Sequence, residues 1–127
     1  MEKISYKQFV IVPKKPKMSK GKIASQVAHA TFLALEKQRV TPLRDRQKYL
    51  ISQWKETGMC VIVLECDDTE QLVNIASYLD QWKVPNHIYY DEGLTEIRPM
   101  TPTALATGVL DWKSFWMLSK LHLFKSK

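Results

Sequence analysis

Short apolar runs alternate with longer amphipathic stretches along most of this chain. Residues 6–12 form a β-branched run that ends at Pro13, which predicts a central strand. Apolar positions then recur at helical spacing to about Arg39, and no proline interrupts them before Pro42. Ser19 is a suitable N-cap, because its hydroxyl can accept a hydrogen bond from the first turn of the helix. The pattern therefore begins with a strand followed by a long helix.

One narrow strip of this long helix is polar. At roughly 100° per residue, the strip contains Lys22, Gln26, His29 and Lys37. Apolar and small residues occupy most of the remaining circumference, which predicts a helix buried on more than half of its surface, with the polar strip left open. An amphipathic helix whose polar strip only meets water gives the same pattern.

The later elements continue the alternation of strands and helices. They are predicted as helix 43–56, apolar strand 59–64 covered on both faces, a helix capped near Asp68, strand 87–90, loop 91–102, strand 103–109 and closing helix 111–124. Such alternation favours one layered α/β domain, residues 1–127, with a mostly parallel sheet.

The closing helix is unusually apolar. Its large apolar residues are Trp112, Phe115, Trp116, Met117, Leu118, Leu121, Leu123 and Phe124. These side chains cannot all face one core, so we expect an exposed aromatic patch and a dimer contact. A wide buried face with scattered surface apolar residues is the alternative.

Composition narrows the class of protein. The chain has 127 residues, of which 45% are hydrophobic, and this suits a folded domain rather than a disordered one. It has no run of 18 apolar residues and no signal-like start, so we expect no membrane association and a cytoplasmic location. Cys60 and Cys66 are expected to be reduced and in the core, and no spacing indicates a metal site.

Charge is concentrated in one loop. The net charge is +6, and five lysines occur between Lys14 and Lys22. Such a cluster favours a polyanion, and nucleic-acid phosphate is the commonest one. No aromatic residue interleaves with these lysines, so contact with the backbone of folded RNA is favoured over stacking on single-stranded bases. A solvated loop that only adds solubility is the alternative.

Two sequence blocks resemble one family. The first reads Lys20-Gly21-Lys22-Ile23-Ala24-x-Gln26-x-Ala28-His29-Ala30. The second reads Asp91-Glu92-Gly93-Leu94-Thr95-Glu96-Ile97-Arg98-Pro99. In this order, they resemble the signature of the type II peptidyl-tRNA hydrolases, the archaeal and eukaryotic kind, and the resemblance extends over residues 6–124. It implies a three-layer α/β/α sandwich on a four-stranded mixed sheet whose last strand is antiparallel.

The resemblance also implies a reaction and its residues. The expected reaction is hydrolysis of the ester of peptidyl-tRNA, without metal or cofactor, by a protein that is often a homodimer. Lys22 is expected to face the oxyanion or a phosphate, and Asp91 to orient water, while Gln26 and Thr95 hold polar groups of the substrate. We expect the tRNA phosphates to meet Lys14, Lys15, Lys17 and Lys20. His29 is expected to face packed neighbours and to support the site structurally.

The chain departs from the family pattern at several positions. Leu94 replaces an arginine, Glu96 a glutamine, Ser19 a glycine, and Met100 stands where glycine is usual. The first two changes make the second block more negative and should weaken phosphate contact there. Two other functions are therefore also compatible with the sequence: a non-catalytic module that binds RNA or protein on the same scaffold, and a hydrolase that acts on a different ester or amide.

Overall fold

The computed structural model describes residues 5–41, 44–92, 98–111, 118 and 120–125. Its elements are β1 (Tyr6–Pro13), α1 (Lys20–Val40), α2 (Arg44–Glu56), β2 (Val61–Cys66), α3 (Thr69–Gln81), β3 (Asn86–Tyr90), β4 (Pro102–Asp111) and β5 (His122–Leu123). The strands form one sheet in the order β3-β4-β1-β2-β5. The predicted central position of β1 is confirmed. None of the described helices is long and apolar enough to span a bilayer.

Strand directions place three carboxyl ends at one edge of the sheet. β1 and β2 are parallel, whereas β4 is antiparallel to both β1 and β3. β3 therefore runs in the same direction as β1, and the antiparallel fourth strand is confirmed. Since the connections that follow β1, β2 and β3 start from this edge, it is where an α/β fold gathers functional loops.

The predicted strand number is wrong, and the closing helix predicted at 111–124 is wrong at both of its ends. Asp111 is the last residue of β4, and His122–Leu123 form a fifth strand antiparallel to β2. The N–H of Phe124 also donates to the carbonyl of Val63 at 2.9 Å. The physical reason is non-local: the outer edge of β2 offers unpaired backbone groups, and the C-terminal segment pairs with them. Residues 112–117, which carry four of the eight large apolar residues of the predicted patch and dimer contact, lie outside the described residues. Of the other four, Leu118 is buried and Leu123 is 60% exposed.

Alternation along β1 builds the three layers. Phe9 and Ile11 point into a cluster that includes Leu72 of α3. Val10, on the opposite face, packs in a cluster with Ala30 of α1. Because neighbouring side chains of a strand point to opposite faces, the helices lie on both sides of the sheet. The predicted α/β/α layering is confirmed.

Helix α1 begins as predicted but buries a different face. The Ser19 hydroxyl accepts a hydrogen bond from the Lys22 N–H at 3.2 Å, which confirms the N-cap. The buried residues recur every four positions: Gln26, Ala30, Ala34 and Gln38. Phe32, by contrast, is 62% exposed. The open polar strip and the wide apolar burial are therefore wrong, because small residues and two hydrogen-bonded glutamines form the contact face.

The segment before β2 is more exposed than expected. α2 ends before Gly58, whose φ of +106° suits a glycine, as predicted. The strand starts only at Val61, which is 40% exposed, so Cys60 lies in the connection and is exposed. The predicted strand covered on both faces and the core position of Cys60 are wrong. Cys66 is buried as predicted, and burial raises the pKa of its thiol to about 12.

Gly108 is required by the packing of Gln38 against β4. The Gln38 carboxamide donates to the Val109 carbonyl at 2.9 Å and accepts from the Val109 N–H at 2.7 Å. A Cβ at Gly108 would lie 2.5 Å from Gln38 Cδ. The bonded carboxamide is not free to move aside, so the added methyl would break buried hydrogen bonds.

We therefore predict that Gly108→Ala lowers the free energy of unfolding by roughly 2–3 kcal/mol, from overpacking and lost buried bonds. Urea denaturation at unchanged m-value measures this change. Gly21→Ala is the matched control, because a Cβ at Gly21 meets nothing within 4 Å and alanine favours the helix. Equal urea midpoints for Gly108→Ala and the parent protein would show that the Gln38 side chain can move aside without loss of stability.

Candidate active site

A lysine and an aspartate from distant parts of the chain meet at the carboxyl edge of the sheet. The Lys22 Nζ contacts Oδ1 of Asp91, although the two residues are 69 positions apart. Lys22 lies in the first turn of α1, and Asp91 directly follows β3. Their side chains are 10% and 4% exposed, respectively. The sequence expectation that these two residues share one edge agrees with this placement.

Two backbone hydrogen bonds, to residues 100 and 101, fix the backbone of Asp91. Its N–H donates to the Thr101 carbonyl at 2.8 Å, and its carbonyl accepts from the Met100 N–H at 2.6 Å. Met100 has a φ of +63°, in the left-handed region. That conformation costs a non-glycine residue roughly 1–2 kcal/mol, which accounts for the glycine that is usual in the resembled family. Met100 adopts this conformation and still donates to the Asp91 carbonyl, so this departure does not displace Asp91.

Gln26 lies one helical turn after Lys22 and faces inward. Residues four apart share a face of a helix, and Gln26 is only 4% exposed. The hydroxyl of Thr103, itself fully buried, donates to Gln26 Oε1 at 2.5 Å. This bond fixes the orientation of the carboxamide, with Nε2 as its donor group.

Thr103 is a site residue that sequence reasoning missed. In the sequence, Thr103 is only the first residue of the predicted strand 103–109. Its hydroxyl lies 3.3 Å from the Tyr89 carbonyl and so bridges the region between β3, β4 and α1. A threonine at the start of a strand, directly after the loop that carries Asp91, was the available signal.

His29 lies at the surface rather than among packed neighbours. Its ring stacks on that of Tyr89 with centroids 4.7 Å apart and planes 11° from parallel. The histidine itself is exposed, so the packed setting expected from the sequence is wrong. The stack links α1 to β3 next to the strand end that precedes Asp91.

The lysine loop occupies the same edge of the sheet. It joins the end of β1 to the start of α1, and its exposed lysines are Lys14, Lys15, Lys17 and Lys20. Lys14 Nζ lies 3.9 Å from Glu65 Oε1 and 3.8 Å from Asp67 Oδ1. Lys14 is thus partly neutralised by two carboxylates at the end of β2.

Part of the second sequence block, which includes Leu94, Thr95 and Glu96, lies outside the described residues. Within the described part of the chain, no three His, Cys, Asp or Glu side chains converge in a way that could hold a metal ion. Among the described residues, the site consists of the Lys22 ammonium group, the Asp91 carboxylate and the oriented Gln26 carboxamide, with the lysine loop beside them.

Comparison with known proteins decides the family. The family model described as "Peptidyl-tRNA hydrolase PTH2" matches residues 6–116. The chain belongs to this family. It is 35% identical over 104 residues to a peptidyl-tRNA hydrolase of Methanopyrus kandleri, covering 81% of this chain and 84% of the relative. The family match over residues 6–116 therefore includes both sequence blocks.

Two further relatives widen the range of organisms. A peptidyl-tRNA hydrolase of Thermococcus onnurineus is also 35% identical over 104 residues, covering 81% of this chain and 83% of the relative. The human protein "Peptidyl-tRNA hydrolase 2, mitochondrial" is 28% identical over 103 residues, covering 81% of this chain but 55% of its own length. The resemblance read from the two blocks is therefore confirmed at the level of the family.

Proposed function

We propose that this protein hydrolyses the ester bond of peptidyl-tRNA and releases the peptide and free tRNA. The observation that carries the proposal is the buried contact between Lys22 and Asp91 at the carboxyl edge of the sheet. It is supported by family membership and by relatives named for this activity. The lysine loop next to the pair suits tRNA, because the phosphodiester backbone of tRNA is negatively charged.

The pair supplies the two functions that ester hydrolysis needs. Asp91 accepts a proton from the attacking water, and the Lys22 ammonium donates to the oxyanion that forms on the ester carbonyl. An ammonium has three donors and a carboxylate about four acceptor positions, so their mutual contact leaves capacity on both. Low exposure strengthens these interactions, because little water screens them.

During the reaction, one proton moves from water to Asp91 and then to the leaving oxygen. Water adds its oxygen to the ester carbon while its proton passes to Asp91. Collapse of the tetrahedral intermediate then breaks the bond to the 3′ oxygen of the terminal ribose, and that oxygen takes the proton from Asp91. The carboxylate is restored, and no other reactant is consumed.

Gln26 and Thr95 complete the proposed site as substrate-binding residues. Since Thr103 occupies Gln26 Oε1, the Nε2 protons are the donors that Gln26 offers to a substrate carbonyl or hydroxyl. Thr95 keeps its proposed role from the sequence block. His29 keeps a supporting role through its stack on Tyr89.

Binding of tRNA is expected to depend strongly on salt, because lysine contacts release counterions from phosphates. For Lys15→Ala, we predict weaker binding of deacylated tRNA and a plot of log K against log salt that is shallower by about 0.7–0.9. Fluorescence anisotropy between 50 and 200 mM salt, on the order of the range where such effects are large, measures both.

Lys55→Ala is the matched control for this prediction. Lys55 is an exposed lysine in the last turn of α2, far from the loop. The Lys55→Ala substitution should leave the slope of log K against log salt unchanged. If the unaltered protein binds tRNA with the same affinity over the whole salt range, nucleic acid is not its partner.

Turnover distinguishes the proposed function from its two rivals. Release of labelled peptide from an N-blocked aminoacyl-tRNA is expected at substoichiometric protein. A binding module would retain the substrate without releasing peptide. A hydrolase for a different bond would instead cleave free aminoacyl-tRNA or small esters faster than the blocked substrate.

The proposal also includes the cellular location of the protein and its oligomeric state. A cytoplasmic location is supported by Cys60 and Cys66, which are both unpaired, since reduced cysteines are typical of that compartment. A homodimer remains proposed from the apolar sequence of residues 112–117.

A further inference from the structure

Among the described residues, the helices on the α1 face of the sheet leave the β2 edge partly uncovered. α1 packs on β1, β3 and β4, and α2 packs on β1 and β4. Val63 of β2 faces the same side as α1 and lies next to Phe124, whose N–H donates to its carbonyl. Val61 points the same way, because side chains two apart share a face of a strand, and it is 40% exposed. Partly exposed apolar side chains therefore lie beside α1.

A groove runs between α1 and this edge of the sheet, and we call it the α1–β2 groove. One part, of about 540 Å³, lies between the lysine loop, the start of α1 and the C-terminal segment, and its apolar lining comes from Met18, Ile23 and Phe124. A second part, of about 400 Å³, shares Ile23 and Phe124 with the first and continues to Val27 and Val63. The floor of the groove is thus mainly aliphatic, with one aromatic ring.

The α1–β2 groove is separate from the proposed active site. Asp91 follows β3, at one side of the sheet, whereas β2 and β5 form the other side. Lys22 contacts Asp91, while Ile23 and Val27 line the groove on the other flank of α1. A ligand in the groove is therefore not the ester that the Lys22–Asp91 pair attacks.

The rim of the α1–β2 groove is strongly basic. Lys14, Lys17, Lys20 and Lys125 line it together with one acid, Glu65. Lys14 is the lysine that approaches this acid. The other three lysines form no ion pair with any of the described residues, so their charges are available to a ligand. The groove thus combines an apolar floor with three available positive charges.

We propose that the α1–β2 groove binds an acidic amphipathic helix of a protein partner. Apolar side chains of that helix would pack on Ile23, Val27 and Val63, and its carboxylates would meet Lys17 and Lys20. An amphipathic helix that lays its apolar face into a groove is a recurring mode of peptide recognition, and opposite charges around the apolar contact favour the encounter and fix its direction.

The lining of the groove favours this occupant over two others. Proteins that hold single-stranded nucleic acid stack successive bases on aromatic rings, but the floor here offers one partly buried ring, Phe124, among aliphatic side chains. A second copy of this chain, which carries a net charge of +6, would bring two basic rims together in a symmetric contact. An acidic helix matches both the aliphatic floor and the charge of the rim.

Binding of such a helix has a consequence for tRNA. Lys17 and Lys20 line the groove and also belong to the lysine loop that is proposed to meet tRNA phosphates. A partner that occupies them should therefore compete with tRNA, and each ligand should weaken binding of the other. This consequence rests on the proposed function, whereas binding of the helix itself does not.

A designed peptide tests the proposal. The probe is a fluorescein-labelled peptide of about 16 residues, a length at which an isolated helix begins to be stable, with leucines on one face and glutamates on the other. Fluorescence anisotropy with the full chain measures its affinity. A peptide of the same composition with the leucines dispersed around the helix should bind about tenfold more weakly, the scale of one leucine side chain left exposed.

Ala24→Glu is the variant that addresses the apolar floor. Ala24 is exposed and lines the groove, so glutamate there should keep the fold but repel the peptide and weaken its binding about tenfold or more, the scale of a change at the centre of an interface. Ala28→Glu is the matched control, because Ala28 is also exposed on α1 but lies outside the lining of the groove. It should bind the peptide as the parent protein does, and thermal unfolding verifies that both variants are folded.

Lys125→Ala is the variant that addresses the rim. Lys125 is exposed, and its loss should weaken peptide binding by about two- to fivefold, the scale of one exposed ion pair. Lys55→Ala, in the last turn of α2, should leave the affinity unchanged. The loss at Lys125 should shrink as salt is added, because salt screens exposed charges.

Three outcomes would overturn the assignment. They are equal affinity of Ala24→Glu and the parent protein, equal affinity of the two peptides, and displacement of the peptide by a single-stranded oligouridine that itself binds Ala24→Glu more weakly than the parent protein. The second outcome would mean that charge alone attracts the peptide, and the third that RNA occupies the groove.

Competition and turnover separate this inference from the proposed function. The peptide should raise the apparent Kd of deacylated tRNA for the parent protein, and it should do so much less for Ala24→Glu. A parent protein that binds the peptide through the groove but does not hydrolyse peptidyl-tRNA would support the groove and remove the proposed function. A parent protein that hydrolyses peptidyl-tRNA but does not distinguish the two peptides would keep the proposed function and remove the groove proposal.

Discussion

Replacement of Asp91 by asparagine is expected to lower kcat for peptidyl-tRNA by about 100-fold or more, the scale of general base catalysis. The amide has nearly the same shape as the carboxylate but cannot take a proton from water. It also leaves the Lys22 ammonium, on a side chain that is 10% exposed, without its counter-charge. Single-turnover hydrolysis of an N-blocked, labelled aminoacyl-tRNA measures the loss directly.

Asp45→Asn is the matched control for Asp91→Asn. Asp45 lies exposed in the first turn of α2, so the same change of charge should leave kcat within about twofold, given that a surface helix charge contributes only a few tenths of a kcal/mol. Circular dichroism should show that both variants are folded. A folded Asp91→Asn protein with the parent's kcat would remove Asp91 from the chemistry.

Lys22→Met is expected to lower kcat by roughly 10²–10³-fold, the scale of one lost oxyanion donor. Methionine keeps most of the length and apolar stem of lysine, so packing against the start of α1 is retained. KM should change much less than kcat, because the lost interaction forms mainly in the transition state. Steady-state kinetics over a range of substrate concentrations separates the two parameters.

The double variant tests whether the two residues act as a unit. Residues in direct contact give non-additive effects, so Lys22→Met combined with Asp91→Asn should lose little more activity than the worse single variant. If the fold reduction in kcat of the double variant equals the product of the two single reductions, the residues act independently. Lys55→Ala again controls for the loss of one positive charge.

The local parts of the fold could be predicted from the sequence. The caps at Ser19 and Asp68 are observed, because capping depends on the side chain of one residue and the turn that follows it. Strand β5 could not be predicted, since it exists only because β2 has an open edge. The buried face of α1 was also misassigned, because Gln26 and Gln38 find hydrogen-bond partners that hydropathy cannot reveal.

The site shows the same division between local and non-local information. The contact between Lys22 and Asp91 could be predicted. Each residue lies in one of the two sequence blocks, and the predicted strand order places both blocks at the same edge of the sheet. Thr103 was missed because its contribution depends on a hydrogen bond to Gln26 across the helix–sheet contact, and its place at a strand start is only a weak signal of that bond. Phe124 was assigned to a helix, and its place beside the lysine loop depends on the pairing of β5 with β2.

The central claim is that Lys22 and Asp91 together hydrolyse an ester on tRNA. Peptide release from N-blocked aminoacyl-tRNA, compared between the parent protein and Asp91→Asn at equal concentration, tests it most directly. Many turnovers by the parent protein and about 100-fold slower release by the variant, as expected for a lost general base, are the predicted result. Equal rates for the two proteins, or no release by the parent, would contradict the claim.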